Sequence, residues 1–314
     1  MSSAARDGPL DPLERIAVAS GSRRCGLGGL SSGRVMVQGS GGRASSLRSD
    51  PDPCRPMTTL RSLAFGVLFY SFMALYLIVF LPIFAVSSVD FAWKITRAWA
   101  RLSLRLLRVV VGTRAEFTGK EHLPRGPAII TPKHQSYWET LALVPELKRP
   151  AFILKKELMS IPLFGWYARR LGMIPVDRSR RGASLSSMLV GAKRAAEEGR
   201  HIVIFPEGTR TQPGEKAEYK HGAFFLYAQL GLPVVPAGLN SGLYWPKKSG
   251  PYRPGTVRVA FQPAIEPGLE RAEFVERLKI GIEESSVELL RQAYRDPDAP
   301  PMTPAVAARL APET

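Results

Sequence analysis

The sequence predicts a layered α/β domain, with a central, mostly parallel or mixed sheet flanked by helices. An N-terminal membrane-anchoring helical segment is expected in front of it. Three observations lead there. Short apolar runs at 128–130, 152–154, 173–176, 202–205 and 234–236 read as buried strands. Stretches with helical spacing lie between them, such as Leu185, Met188, Leu189 and Ala192. Ahead of them, residues 63–89 contain no charge at all.

Residues 1–56 are rich in Gly, Ser, Arg and Pro, with eight Arg, five acids and no Lys. Low hydrophobicity and absent periodicity predict a disordered low-complexity extension. The five acids argue against a transit peptide. Met57, just before the apolar run, reads as the biological start, and a genuine disordered tail is the alternative. Both cysteines, Cys25 and Cys54, lie in this stretch. The rest of the chain therefore has no disulfide, no cysteine metal site and no acyl-cysteine intermediate available to it.

Residues 57–112 read as the membrane-anchoring segment. The uncharged run at 63–89 exceeds the roughly 20 residues that cross a hydrocarbon core. Pro82 is expected to kink it or to break it into a re-entrant hairpin. Lys94, Arg97, Arg101, Arg105 and Arg108 follow at intervals of three or four, which places them on one helical face. Trp93 and Trp99 are expected at headgroup depth. The pattern is that of a basic amphipathic helix on an anionic membrane surface. Bases following the apolar run place the active domain on the cytoplasmic side of the inner membrane.

Residues 113–296 carry the α/β pattern. Gly199 suits a helix terminus, and residues 256–261 alternate as a strand does. Phe274, Leu278, Ile282 and Leu289 mark a long amphipathic helix that ends before Pro297. Residues 297–314 read as a flexible tail. The net charge of +16 implies an anionic partner: nucleic acid, an anionic membrane or a phosphorylated substrate. Zinc-finger spacing, an RNP-like aromatic motif and a long Lys/Arg run are all missing, so nucleic acid is not expected as a partner. The apolar run favours the membrane.

Four segments carry chemistry: Lys133-His-Gln-Ser-Tyr-Trp-Glu139, Gly172-Met-Ile-Pro-Val-Asp-Arg178, Phe205-Pro-Glu-Gly-Thr-Arg-Thr211 and Val234-Val-Pro-Ala-Gly238. An imidazole suits base catalysis near neutrality, which makes His134 a candidate base. Glu139, five residues on, can orient it. Alternatively, Ser136-Tyr-Trp-Glu139 is a capping box that opens the next helix. In the third segment Gly208 permits close backbone approach to an anion, and Arg210 can grip a phosphate bidentately. An ordinary Pro-Glu-Gly turn is the competing reading. Arg178 follows a short strand in the same way, with a surface salt bridge as its alternative. His122, His201 and His221 read as structural.

The order and spacing of these segments resemble the glycerolipid acyltransferase family, specifically the 1-acylglycerol-3-phosphate acyltransferases, over roughly residues 115–265. The resemblance implies that His134 and Glu139 form the catalytic pair, although the family usually has Asp where this chain has Glu139. It implies that Glu207 and Arg210 help bind the glycerol phosphate, that Gly208 and Thr209 shape the loop, and that Arg178 is a second phosphate ligand. The expected reaction moves a fatty acyl group from acyl-CoA or acyl carrier protein to the sn-2 hydroxyl of lysophosphatidic acid, within membrane phospholipids. No metal or other cofactor is expected. Another lysolipid or glycerol 3-phosphate as acceptor, or a non-catalytic membrane lipid-binding protein, are the alternatives.

Overall fold

The computed structural model describes residues 55–177, 181–247 and 250–311. The expectations for the N-terminal extension up to Cys54, with both cysteines, and for Arg178 lie outside the described residues. The strands are β1 (Thr113–Thr118), β2 (Ala128–Pro132), β3 (Ala151–Lys155), β4 (Ile174–Val176), β5 (His201–Val203), β6 (Val234–Leu239) and β7 (Gly255–Phe261). The helices are α1 (Arg55–Val86), α2 (Val89–Val110), α3 (Trp138–Ala142), α4 (Phe164–Arg170), α5 (Arg181–Glu197), α6 (Gly222–Leu230), α7 (Arg271–Arg295) and α8 (Pro304–Leu310).

All seven strands join one sheet in the order β1-β7-β6-β2-β5-β3-β4. The five strands from β6 to β4 run parallel, β7 is antiparallel to β6, and β1 is parallel to β7. Successive strand residues point to opposite faces, so each apolar pair feeds two cores. Ile129, Ile202 and Val234 join one cluster with residues of α5, α6 and α7. Ile130, Val203 and Val235 join the other, with residues of α1, α2 and α3. This double coverage is why the central strands read as short continuous apolar runs. The edge strand β1 was not expected, because its burial is confined mainly to Thr113 and its sequence carries no apolar run. Its pairing with β7 holds it instead.

The segment from Met57 to Val86 is one helix long and apolar enough to cross a membrane, with mean hydropathy 2.4. One face of α1 packs on the domain through Phe65, Phe69 and Phe84, while Leu63, Val67, Leu75, Ile78 and Ile83 are exposed. Tyr76 Oη donates to Ile95 O, and Tyr167 Oη donates to Leu77 O. Pro82 does not break this helix, which continues one turn beyond it to Val86. The reversal comes at Ser87–Ser88, where Ser88 Oγ accepts the Phe91 N–H and caps α2.

In α2, Lys94, Arg101, Arg105 and Arg108 are exposed, whereas Ala92, Trp93, Ile95 and Leu107 are buried. The placement of Trp93 at headgroup depth is therefore corrected: it is buried, with the Arg200 guanidinium 5.8 Å over its ring. A helix docked on a sheet spends its large rings on that contact, and the periodicity alone does not say which ring that is. The expected flexible tail also differs. It contains α8, capped by Thr303 Oγ1, with Val306 buried and Arg309 Nη2 3.3 Å from Glu283 Oε2.

Candidate active site

Three neighbouring parallel strands, β5, β2 and β6, end on the same side of the sheet. The chain leaves β2 into Lys133-His134, β5 into Phe205–Thr211 and β6 into Asn240-Ser241. Carboxyl ends of parallel strands are where α/β sheets gather functional groups, because the loops there converge.

His134 is held from several directions. Its backbone N–H donates to Glu207 Oε2 at 2.7 Å. Its carbonyl accepts from Thr211 N at 2.7 Å and from Thr211 Oγ1 at 3.2 Å. The ring stacks on Phe205 with centroids 3.9 Å apart. Nδ1 lies 2.9 Å from Glu139 Oε1. With Nδ1–H donating to that carboxylate, Nε2 is left as the basic nitrogen, on a side chain that is 17% exposed.

Glu139 is fully buried, yet both of its oxygens meet donors. Oε1 accepts from His134 Nδ1, from Gln135 N at 2.8 Å and from Ser136 N at 2.7 Å. Oε2 accepts from Ser241 Oγ at 2.8 Å. The two readings of Glu139 are thus compatible: it bonds the Ser136 backbone as in a capping box and orients the imidazole as well. The extra methylene of Glu relative to Asp is absorbed without loss of the imidazole contact. Both nearby serines are fully buried, with Ser136 Oγ accepting the Trp138 N–H and Ser241 Oγ donating to Glu139.

A second layer of charge lies behind the histidine. Lys133 Nζ is 2.6 Å from Glu283 Oε1 and 3.4 Å from Glu207 Oε1. The latter is an ion-pair distance without an aligned hydrogen bond. Tyr219 Oη donates to Glu283 Oε1 at 3.1 Å, and Arg309 approaches the other oxygen. Burial pushes the Glu207 carboxyl up to about 8, against the opposing pull of the Lys133 ammonium. Helix α7 brings Glu283 close because Gly238 lets it lie against β6: a methyl there would fall 2.1 Å from Ser285 Oγ.

The loop after β5 turns at Phe205-Pro206-Glu207-Gly208, with the Gly208 N–H bonded to Phe205 O at 3.0 Å. Pro at the second position and Gly at the fourth suit such a turn, and Gly208 takes φ +67. Thr209 is exposed. The Arg210 guanidinium lies over the Tyr137 ring, 4.0 Å from its centroid, and its Nη2 is 3.4 Å from Tyr137 Oη. Lys247 Nζ donates to the Arg210 carbonyl. Among the described residues no carboxylate pairs with Arg210.

Comparison of the whole chain with known proteins places it in a family. The chain is 35% identical to a 1-acyl-sn-glycerol-3-phosphate acyltransferase of Pseudomonas aeruginosa over 199 residues, covering 62% of this chain and 77% of that one. This chain belongs to the 1-acyl-sn-glycerol-3-phosphate acyltransferase family. It is an enzyme, an acyltransferase. The Acyltransferase family model matches residues 114–240. A bovine 1-acyl-sn-glycerol-3-phosphate acyltransferase alpha is 30% identical over 202 residues, 62% of this chain and 69% of its own. The fold is that of the crystal structure of the 1-acyl-sn-glycerophosphate (LPA) acyltransferase PlsC from Thermotoga maritima. That match has a TM-score of 0.63 and 22% identity, covering 74% of this chain and 98% of that one.

Within this acyltransferase the structure brings His134, Glu139, Gly208, Thr209 and Arg210 to the carboxyl ends of the central strands β2 and β5. Glu207, expected at the phosphate, lies behind His134 in the structure. It is 2% exposed and turned inward onto the His134 backbone, where an incoming phosphate would meet a buried acidic group. The chain reaches Arg178 from β4, which β3 separates from β5. Sequence reasoning missed Ser241, Thr211, Lys133 and Glu283. Only Thr211 and Lys133 had a local signal, as neighbours of the motifs. Ser241 and Glu283 reach the site from 102 and 150 residues away.

Proposed function

We propose that this acyltransferase transfers a fatty acyl group from the thioester of acyl-CoA or acyl carrier protein to the sn-2 hydroxyl of 1-acylglycerol 3-phosphate, giving phosphatidic acid. His134 Nε2 takes the hydroxyl proton while the oxygen attacks the thioester carbonyl. The C–S bond breaks, and the thiolate takes the proton back from the imidazolium, so atoms and charge balance. Glu139 orients the ring and stabilises its cationic form. The reaction is direct between two substrates and is written without a metal or an organic cofactor. The observation that carries this reading is His134 bonded to Glu139, near Arg210, which has no acidic partner among the described residues. Arg210 takes the acceptor phosphate, with Arg178 as a second ligand. Glu207 acts from behind His134.

The names of the relatives support this acceptor. The deciding experiment assays purified enzyme in detergent against lysophosphatidic acid, other lysolipids and glycerol 3-phosphate, each with both thioester carriers. Preference for lysophosphatidic acid is expected. A faster reaction with an acceptor lacking the phosphate monoester would overturn the reading.

The exposed apolar face of α1 and the basic face of α2 serve as the membrane attachment, with the domain on the cytoplasmic side. A chain beginning at Met57 is expected to pellet with membranes and to stay there through a high-salt wash, because apolar burial is not screened by ions. Release by salt alone would mean that α1 is not inserted.

A further inference from the structure

We propose that Tyr137 is the positioning residue for the phosphate-binding guanidinium: its ring fixes Arg210 beside His134 so that the acceptor phosphate meets a preformed fork. This deepens the proposed function and rests on its assignment of Arg210 to the acceptor.

Tyr137 is 59% exposed although its neighbours Ser136 and Trp138 are buried. An exposed ring between two buried residues is not there to fill the core. Instead it carries the Arg210 guanidinium at 4.0 Å from its centroid, with the hydroxyl 3.4 Å from Nη2. The two residues come from different loops, one after β2 and one after β5, so this contact joins the turn bearing His134 to the loop bearing Arg210. An exposed arginine side chain otherwise samples many rotamers, and ordering it on the substrate costs binding free energy. Stacking removes part of that cost, and among the described residues the long Nη2–Tyr137 Oη contact is the one hydrogen bond that the guanidinium makes. A carboxylate partner would order the side chain too, but it would compete with the phosphate for the same donors. A π face orders the cation without using up its hydrogen bonds, and that suits a site that must bind and release a phosphate monoester.

The test compares Tyr137→Leu, Tyr137→Phe and Arg210→Lys in the full-length enzyme in detergent. KM is measured separately for lysophosphatidic acid and for the acyl thioester. Tyr137→Leu is expected to raise the acceptor KM roughly two- to fivefold, the size of an exposed cation–π contact, with kcat and the donor KM near their parent values. Tyr137→Phe keeps the ring and should recover most of the loss. Because the side chain is largely exposed, the thermal unfolding midpoint should stay put in both variants. If Arg210→Lys weakens the acceptor and Tyr137→Leu does not, the positioning role is wrong while the acceptor site stands. If neither changes the acceptor KM, the assignment of Arg210 fails and the inference falls with it. A loss in kcat alone, shared by Tyr137→Leu and Tyr137→Phe, would mean that the residue acts on the His134 turn, and this too would overturn the proposal.

Discussion

His134→Ala is expected to lower kcat by at least the roughly 10²–10⁴-fold that follows removal of a general base, while the protein stays folded. Truncating the ring removes the stack on Phe205 and the bond to Glu139, whereas the backbone bonds to Glu207 and Thr211 do not depend on the side chain. The loop should therefore keep its course. Near-normal turnover in a folded variant would remove His134 from the mechanism. Glu139 separates positioning from capping. In Glu139→Gln the amide oxygen can still accept from Gln135 N and Ser136 N, and the amide nitrogen can donate to Ser241 Oγ. The cap survives, but the negative charge facing the imidazole is gone. Its activity should fall well below that of Glu139→Asp, which keeps the charge. Equal activity of Glu139→Gln and the parent would leave Glu139 as a helix cap only.

Arg210→Lys is expected to weaken use of the phosphorylated acceptor by about ten- to a hundredfold, even though the charge is kept. Hydrogen bonds to charged groups contribute about 1.5–3 kcal/mol each, and an ammonium cannot copy the two parallel bonds of a guanidinium fork. Lysine also lacks the planar group that lies over Tyr137. The measurement is kcat/KM for lysophosphatidic acid with donor saturating, and separately for the thioester with acceptor saturating. The loss should fall on the acceptor. If it falls on the donor alone, Arg210 holds phosphates of the carrier, and the geometry around His134 must be read with the two substrates exchanged.

What the sequence determined on its own is what local pattern encodes. Six of the seven strands follow from apolar runs or strict alternation, because a sheet covered on both faces needs continuous apolar residues. The apolar helix α1 follows from the uncharged run, while the five-residue spacing allowed His134 and Glu139 either to pair or to leave Glu139 as a cap, and the family resemblance implied the pair. Tertiary structure decided the rest. Glu207 and Arg210 sit three residues apart in one motif, yet one is buried behind the histidine and the other faces outward. Nothing in P-E-G-T-R says which, because the answer depends on where β2 and α7 pass the loop. Ser241 and Glu283 join the site only because parallel strands far apart in the chain become neighbours in the sheet and α7 packs across β6. Trp93 went into the core because α2 docks on the domain with that side. β1 exists mainly through its ladder with β7, with Phe117 its one apolar contact to the core, and a single ring leaves no apolar run to read. Short-range spacing sets which groups can meet within a turn, whereas burial and partners at long sequence separation are set by topology, and topology assigns each group its role.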